Sequence, residues 1–191
     1  MPVHHRPNSL RHPSADYSDP GIYYVTLCTQ NRDPLFGAVN NGEMHCNPLG
    51  AIVWRTWIHL PARFPGISID SAIVMPDHFH GIIVIHENPP LVGAIHELPL
   101  RNSFDGESPQ RIVNDREFPT TRAQRRLMTI PLIIGYLKMN SAKRINQIRQ
   151  TPGAHVWQRG YYDKILRVDK DYDSVVEYIL SNPTRWGLDK D

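Results

Sequence analysis

Two apolar runs flank a proline near the middle of the chain. Residues 67–75 read ISIDSAIVM and residues 78–87 read HFHGIIVIHE, with Pro76 and Asp77 between them. Both runs have the β-branched and aromatic composition of strands. Pro76-Asp77 can turn the chain, so the pair predicts a hairpin with a buried second strand. A chain with such a pair must build a sheet around it, and this constrains the fold more than any other feature.

The other runs supply the remaining elements. IYYVTLCTQ (residues 22–30) has strand composition, and NRDPLFG after it reads as a turn. Asn47-Pro48 is a helix start, with Asn47 as N-cap and Pro48 at the first helical position. Leu49, Ile52, Val53, Trp57 and Leu60 then fall on one helical face, ended by Pro61 or Pro65. A second helix is predicted from Pro131, with Ile134, Leu137, Ser141, Ile145 and Ile148 on one face and Thr151–Gly153 closing it. A fourth strand is expected from Tyr161 or Tyr162 to Arg167, and a last helix from near Lys170 to Asn182, stopped by Pro183. The order β-α-β-β-α-β-α predicts an α+β fold. Its first six elements match the ferredoxin-like, split βαβ pattern: an antiparallel sheet with helices on one face.

Residues 1–20, rich in His, Pro and Ser, read as a flexible arm, and residues 21–191 as a single domain. Within it, residues 87–130 carry six acids and six bases, and prolines, serines and asparagines interrupt every periodic run. That segment reads as a low-order insertion. The 191 residues are 40% hydrophobic and 21% charged, which suits a chain with a real core and excludes a wholly disordered one. No run is long enough to span a bilayer and the first residues contain no signal-like apolar stretch, so a cytoplasmic, membrane-free protein is expected. Cys28 and Cys46 form no CxxC, which argues against a zinc ribbon or disulfide framework.

The net charge of +2 is unevenly placed. Lys138, Lys143, Arg144, Arg149, Arg159, Lys164 and Arg167 lie between residues 131 and 168 against one acid, Asp163, which leaves about −4 for the rest. A local basic stripe on a near-neutral chain marks a polyanion partner or, equally, a solvated helix face.

His78 and His80 share one face of their strand because side chains alternate. Two imidazoles so placed can share a metal ion, although such a pair is more often structural. A third donor is available near the C-terminus. Tyr178 and Asn182 are four residues apart and so project from one face of a helix. The asparagine amide oxygen can ligate a hard cation, and the phenol would lie beside it. The plainer readings are a core aromatic at Tyr178 and a helix cap at Asn182.

MPDHFHGIIVI, WQRGYYDKILR and YILSNP, in this order, resemble the motifs of the single-tyrosine HUH transposase family, and within it those of the REP-associated tyrosine transposases. HUH denotes His-hydrophobic-His, here His78-Phe79-His80. The resemblance spans roughly residues 20–86 and 131–188. It implies a ferredoxin-like core with a C-terminal helix that carries the nucleophile, Tyr178. It also implies Mg²⁺ or Mn²⁺ held by His78, His80 and Asn182. Many insertion-sequence members carry Gln where Asn182 stands, and the Asn-Pro ending points to the REP-associated branch.

The implied activity is a metal-dependent endonuclease and strand transferase. It would cut and rejoin single-stranded DNA near hairpin or palindromic repeats through a 5′-phosphotyrosine, as a monomer or homodimer. A free tyrosine is only about 0.1% ionised at neutral pH, so a base or cation is needed; Lys138 and Lys143 are candidates. Lys138, Lys143, Arg144, Arg149 and Arg159 would contact phosphates, and Trp157, Tyr161 or Tyr162 would stack on bases or pack in the core. The alternative is a domesticated hairpin-DNA-binding module with little cleavage. A hydrolase using His86 as a third ligand is disfavoured, since His86 lies six positions, roughly 20 Å, along the strand from His80 and further still from His78.

Overall fold

The computed structural model describes residues 18–87, 129–168 and 170–187. The expected arm over residues 1–17 and the bulk of the expected insertion, 88–128, lie outside them. The elements are β1 (Gly21–Cys28), β2 (Gly37–Asn40), β3 (Glu43–Cys46), α1 (Pro48–Ile58), α2 (Leu60–Arg63), β4 (Ile67–Val74), β5 (His78–Ile85), α3 (Thr129–Arg149), β6 (Tyr162–Leu166) and α4 (Tyr172–Arg185).

The main sheet has the order β4-β5-β1-β6, and each neighbouring pair is antiparallel. With α1 and α3 as the crossovers, this is the ferredoxin-like, split βαβ arrangement. Register then sorts side chains by parity. Tyr23, Val25 and Leu27 of β1 and Phe79, Ile83 and Ile85 of β5 join one core with Val53 and Trp57 of α1 and Ile133, Ile134, Leu137 and Ile145 of α3. Tyr24, Ile82 and Leu166 face the other way and pack under Ile179 of α4, with Ile73 and Val176 beside them. The sheet is therefore covered on both faces: α1 and α3 on one, α4 on the other.

Local chemistry explains several boundaries. The Asn47 side chain accepts from the Leu49 and Gly50 amides, which caps α1 as its Asn-Pro start predicts. Gly81 lies where α1 presses closest: a Cβ there would stand 2.7 Å from the Trp57 ring. Trp57 packs against Phe79 with ring centroids 4.8 Å apart.

Four expectations need correction. Pro61 does not end α1; the helix stops at Ile58, and Pro61 sits in the first turn of the short α2, where its missing N–H costs nothing. Pro183 does not stop the last helix, which runs on to Arg185; this near the end, proline removes only the bond to the Ile179 carbonyl. Ile148 is 57% exposed rather than part of the α3 core face. The β2–β3 hairpin was not anticipated at all. Its signal is Asn40-Asn41-Gly42: Asn41 and Gly42 adopt φ of 51° and 76°, the left-handed pair a tight primed turn requires.

Candidate functional site

The two histidines sit at the start of β5, opposite the end of β1: Thr26 pairs with His80 and Cys28 with His78. Their rings are 4.6 Å apart. Both are buried, at 8% and 4% exposure, in a strand whose other positions are all apolar. Each has a specific partner on Nδ1. The Asp77 carboxylate stands 2.5 Å from His78 Nδ1. For His80 the partners are the Tyr24 and Thr26 hydroxyls, at 2.7 and 2.9 Å.

These contacts orient the outward nitrogens. A carboxylate can only accept, so His78 holds its proton on Nδ1 and presents a lone pair at Nε2. The two hydroxyls hold the His80 ring in place; each can accept from or donate to Nδ1, and when Nδ1 carries the proton they accept it and the lone pair of Nε2 is free. That Nε2 is buried without a hydrogen-bond partner among the described residues. Burial, with His78 and Arg32 adding to it, pushes His80 down to about 3, so the ring is neutral at physiological pH. Burial also pushes the Tyr24 phenol up, keeping it a hydroxyl beside the imidazole.

α4 brings the third donor across. Asn182 is 7% exposed, and its Oδ1 lies 3.3 Å from His78 Nε2. In this arrangement two acceptors face each other, which a shared cation would reconcile. An amide turned by half a rotation would donate Nδ2–H to the imidazole instead. One turn earlier, the Tyr178 ring meets His80 edge-on, with centroids 5.4 Å apart, and is 40% exposed. Tyr178 is thus neither a core aromatic nor remote from the histidines, and Asn182 is not the helix cap, a position held by Trp186. Trp186 tilts over His78, with ring centroids 5.9 Å apart.

No three His, Cys, Asp or Glu side chains cluster as a metal site among the described residues. Two imidazole nitrogens and an amide oxygen form a donor set that would fit a hard divalent ion. His86 takes no part; its Nε2 lies 3.0 Å from Ser68 Oγ.

The expected nucleic-acid contacts separate into three groups. Lys143, Arg144 and Arg149 are exposed on α3, and Arg159 is exposed in the loop that follows. Because α3 covers the opposite sheet face, that stripe is turned away from the histidines. Lys138 and Trp157 are corrections. Lys138 Nζ donates to the Gln158, Gly160 and Arg159 carbonyls at 2.5, 3.1 and 3.3 Å, and burial pushes the ammonium down to about 8. Its charge is committed to that loop, and with Lys143 also on α3, neither lysine is placed to assist Tyr178. Trp157 is 6% exposed, donates Nε1–H to Ser141 Oγ and packs on Phe36, so it has no free face for a base. Tyr161 is half-buried against the same core, whereas Tyr162 is 43% exposed on the histidine face, edge-on to Tyr24.

Sequence reasoning missed Asp77, Tyr24 and Thr26. Asp77 adjoins His78 in the sequence and could have been found as the acceptor a ligating histidine needs. Tyr24 and Thr26 became visible only through the β1–β5 register.

Fold and site together define a class: a ferredoxin-like sheet whose His-hydrophobic-His strand lies beneath a tyrosine-bearing C-terminal helix. The chain is 34% identical over 191 residues to an uncharacterized protein of Haemophilus influenzae, covering 98% of this chain and 93% of that one. It is 23% identical over 172 residues to another H. influenzae protein, provisionally named a REP-associated tyrosine transposase, covering 90% and 75%. The chain belongs to one family with the first of these proteins and is more distantly similar to the second. Among solved structures it is similar to a REP-associated tyrosine transposase bound to a REP hairpin, with a TM-score of 0.49, 15% identity and coverage of 94% of this chain and 74% of that one. It is also similar to a Deinococcus radiodurans R1 protein provisionally named a transposase, with a TM-score of 0.43, 15% identity and coverage of 91% and 98%. No family model matches the chain.

Proposed function

We propose that the protein cuts and rejoins single-stranded DNA near hairpin repeats, with Tyr178 as nucleophile and His78, His80 and Asn182 as the ligands of Mg²⁺ or Mn²⁺. Three donors and a phenol, drawn from β5 and α4, lie side by side around His80, whose Nε2 has no hydrogen-bond partner among the described residues. That single observation carries the reading. The hairpin partner follows the resemblance of the chain's motifs to the REP-associated tyrosine transposases, a name provisionally given to one H. influenzae relative.

In this reading the Tyr178 oxygen attacks a backbone phosphorus. The new bond joins the phenol oxygen to phosphorus and the phosphorus–O3′ bond breaks. The 3′ oxygen leaves as a hydroxyl after taking a proton, and the phenol proton goes to solvent. The product is a 5′-phosphotyrosine, which keeps an ester bond and lets a later 3′-hydroxyl reverse the step. A divalent ion bound here supplies Lewis-acid stabilisation of the charge on the phosphoryl oxygens. Asp77 holds His78 in the tautomer with Nδ1 protonated, and Tyr24 and Thr26 orient the His80 ring and can accept its Nδ1 proton, so that both Nε2 lone pairs are free in the ligating form. The buried Asn182 fixes the helix so that Tyr178 stands over His80.

Labelled hairpin single strands incubated with protein and Mn²⁺ should give a complex that survives denaturation and disappears in Tyr178→Phe. Persistence of the adduct in that variant moves the nucleophile elsewhere. Calorimetric Mn²⁺ binding without DNA should weaken in His80→Ala and Asn182→Ala, and unchanged binding rejects the ligand set.

A further inference from the structure

We infer that the DNA backbone is gripped on the histidine face by Arg32, beside Asp77 and His78, and by Arg185, beside Tyr178, rather than by the basic stripe of α3. This rests on the proposed reading that the site acts on DNA. The first reason is placement. A strand that reaches Tyr178 and the histidines must lie on the α4 side of the sheet, whereas Lys143, Arg144 and Arg149 point outward from the helix that covers the other side.

The second reason is availability. The Arg185 guanidinium carbon lies 5.9 Å from the centroid of the Tyr178 ring. Arg185 is exposed and has no carboxylate partner among the described residues. Two other cations near the start of α4 are occupied: Lys164 and Arg167 both pair with Asp171, at 2.7 and 3.6 Å. Arg32 Nη1 stands 3.5 Å from Asp77 Oδ1, the same oxygen that faces His78 Nδ1. Its side chain is still 54% exposed, so the guanidinium retains donors for a second anion.

The third reason is the backbone at Arg32. Asn31 and Arg32 have φ of 55° and 60°, two successive non-glycine residues in the left-handed region. Such a conformation costs energy and persists where the surroundings require it. Here the turn folds the chain back after β1, so that the Arg32 side chain meets Asp77 at the rim of the site. One guanidinium therefore stands next to His78, through Asp77, and another next to the Tyr178 ring. The exposed ring of Tyr162 on the same sheet face offers a surface on which a base can stack.

The test is fluorescence anisotropy with a labelled single-stranded hairpin oligonucleotide in EDTA, across a salt series. Tyr178→Phe is the parent protein, so no covalent capture intervenes. Arg32→Gln, Arg185→Gln and their combination are compared with a Lys143→Gln, Arg144→Gln, Arg149→Gln triple variant. Each lost arginine should flatten the plot of log affinity against log salt by about 0.7, the contribution of one single-strand phosphate contact. Arg185→Lys should restore most of the slope lost in Arg185→Gln. Thermal midpoints of all variants separate loss of contact from loss of fold. A larger loss of slope in the α3 triple than in the arginine double overturns the inference and leaves the proposed function standing. Absence of single-strand binding by the parent at every salt concentration overturns both.

Discussion

His80 shows how a single buried side chain can be set for ligation. Its imidazole is lowered to about 3 by burial, while an unfolded histidine titrates near 6.5. Between these values the unfolded chain binds a proton that the folded chain does not, so stability falls as pH drops through 6.5 toward 3. Urea midpoints of the metal-free protein should decline from pH 7 to pH 5, and His80→Gln should decline less steeply over the same range. Asp77 acts on the neighbouring ring. Removing the acceptor of His78 Nδ1 frees the imidazole to take the other tautomer, so Asp77→Ala should weaken Mn²⁺ binding about 10- to 100-fold by calorimetry. The pairing of His78 with His80 could be read from strand alternation alone. The tautomers could not, because Tyr24 and Thr26 are more than fifty residues away and meet His80 only through strand pairing.

At the scale of elements, α4 is anchored at both ends. At its start, the Asp171 carboxylate accepts from Lys164 Nζ at 2.7 Å, which holds that carboxyl below its usual range, and the Tyr172 hydroxyl donates to Asp70. At its end, Thr184 rests on the tip of the β2–β3 hairpin: a Cβ at Gly42 would lie 3.2 Å from Thr184 Cγ2. Gly42→Val would combine that contact with a backbone conformation at φ 76° that a β-branched residue resists. It should cost about 1–3 kcal/mol in denaturant unfolding and raise hydrogen exchange in the last turn of α4. The helix itself was legible from its spacing. Its length was not, because a proline stop signal applies to a helix interior and Pro183 stands only two residues before the last helical residue.

For the whole molecule, the sheet separates two tasks. One face buries the large core around Trp57, Phe79 and Leu137, which supplies most of the apolar burial and holds the strands in register. The other face has a smaller apolar patch and gives its remaining positions to polar groups under α4. Truncation on the core face should therefore damage folding without a specific effect on the site. Trp57→Ala should cost about 3–5 kcal/mol in chemical denaturation, since a fully buried indole leaves a cavity. Gly81→Ala should also destabilise, by about 1–3 kcal/mol, because the added methyl meets the Trp57 ring. Among the described residues no helix is long and apolar enough to cross a membrane.

Alternation, helical spacing and turn chemistry are local properties, and the sequence by itself determined what they determine: the strands, the helices, their order, and the shared faces of His78 with His80 and of Tyr178 with Asn182. The β2–β3 hairpin was equally local, in Asn41-Gly42, and was missed. Tertiary structure alone decided which groups meet across the sheet. It placed Asn182 against His78, buried Trp157, tied Lys138 to the carbonyls of the following loop, and turned the α3 stripe to the far side. Contacts between residues distant in sequence depend on register and on which sheet face each helix covers, and neither is written in a local run of residues.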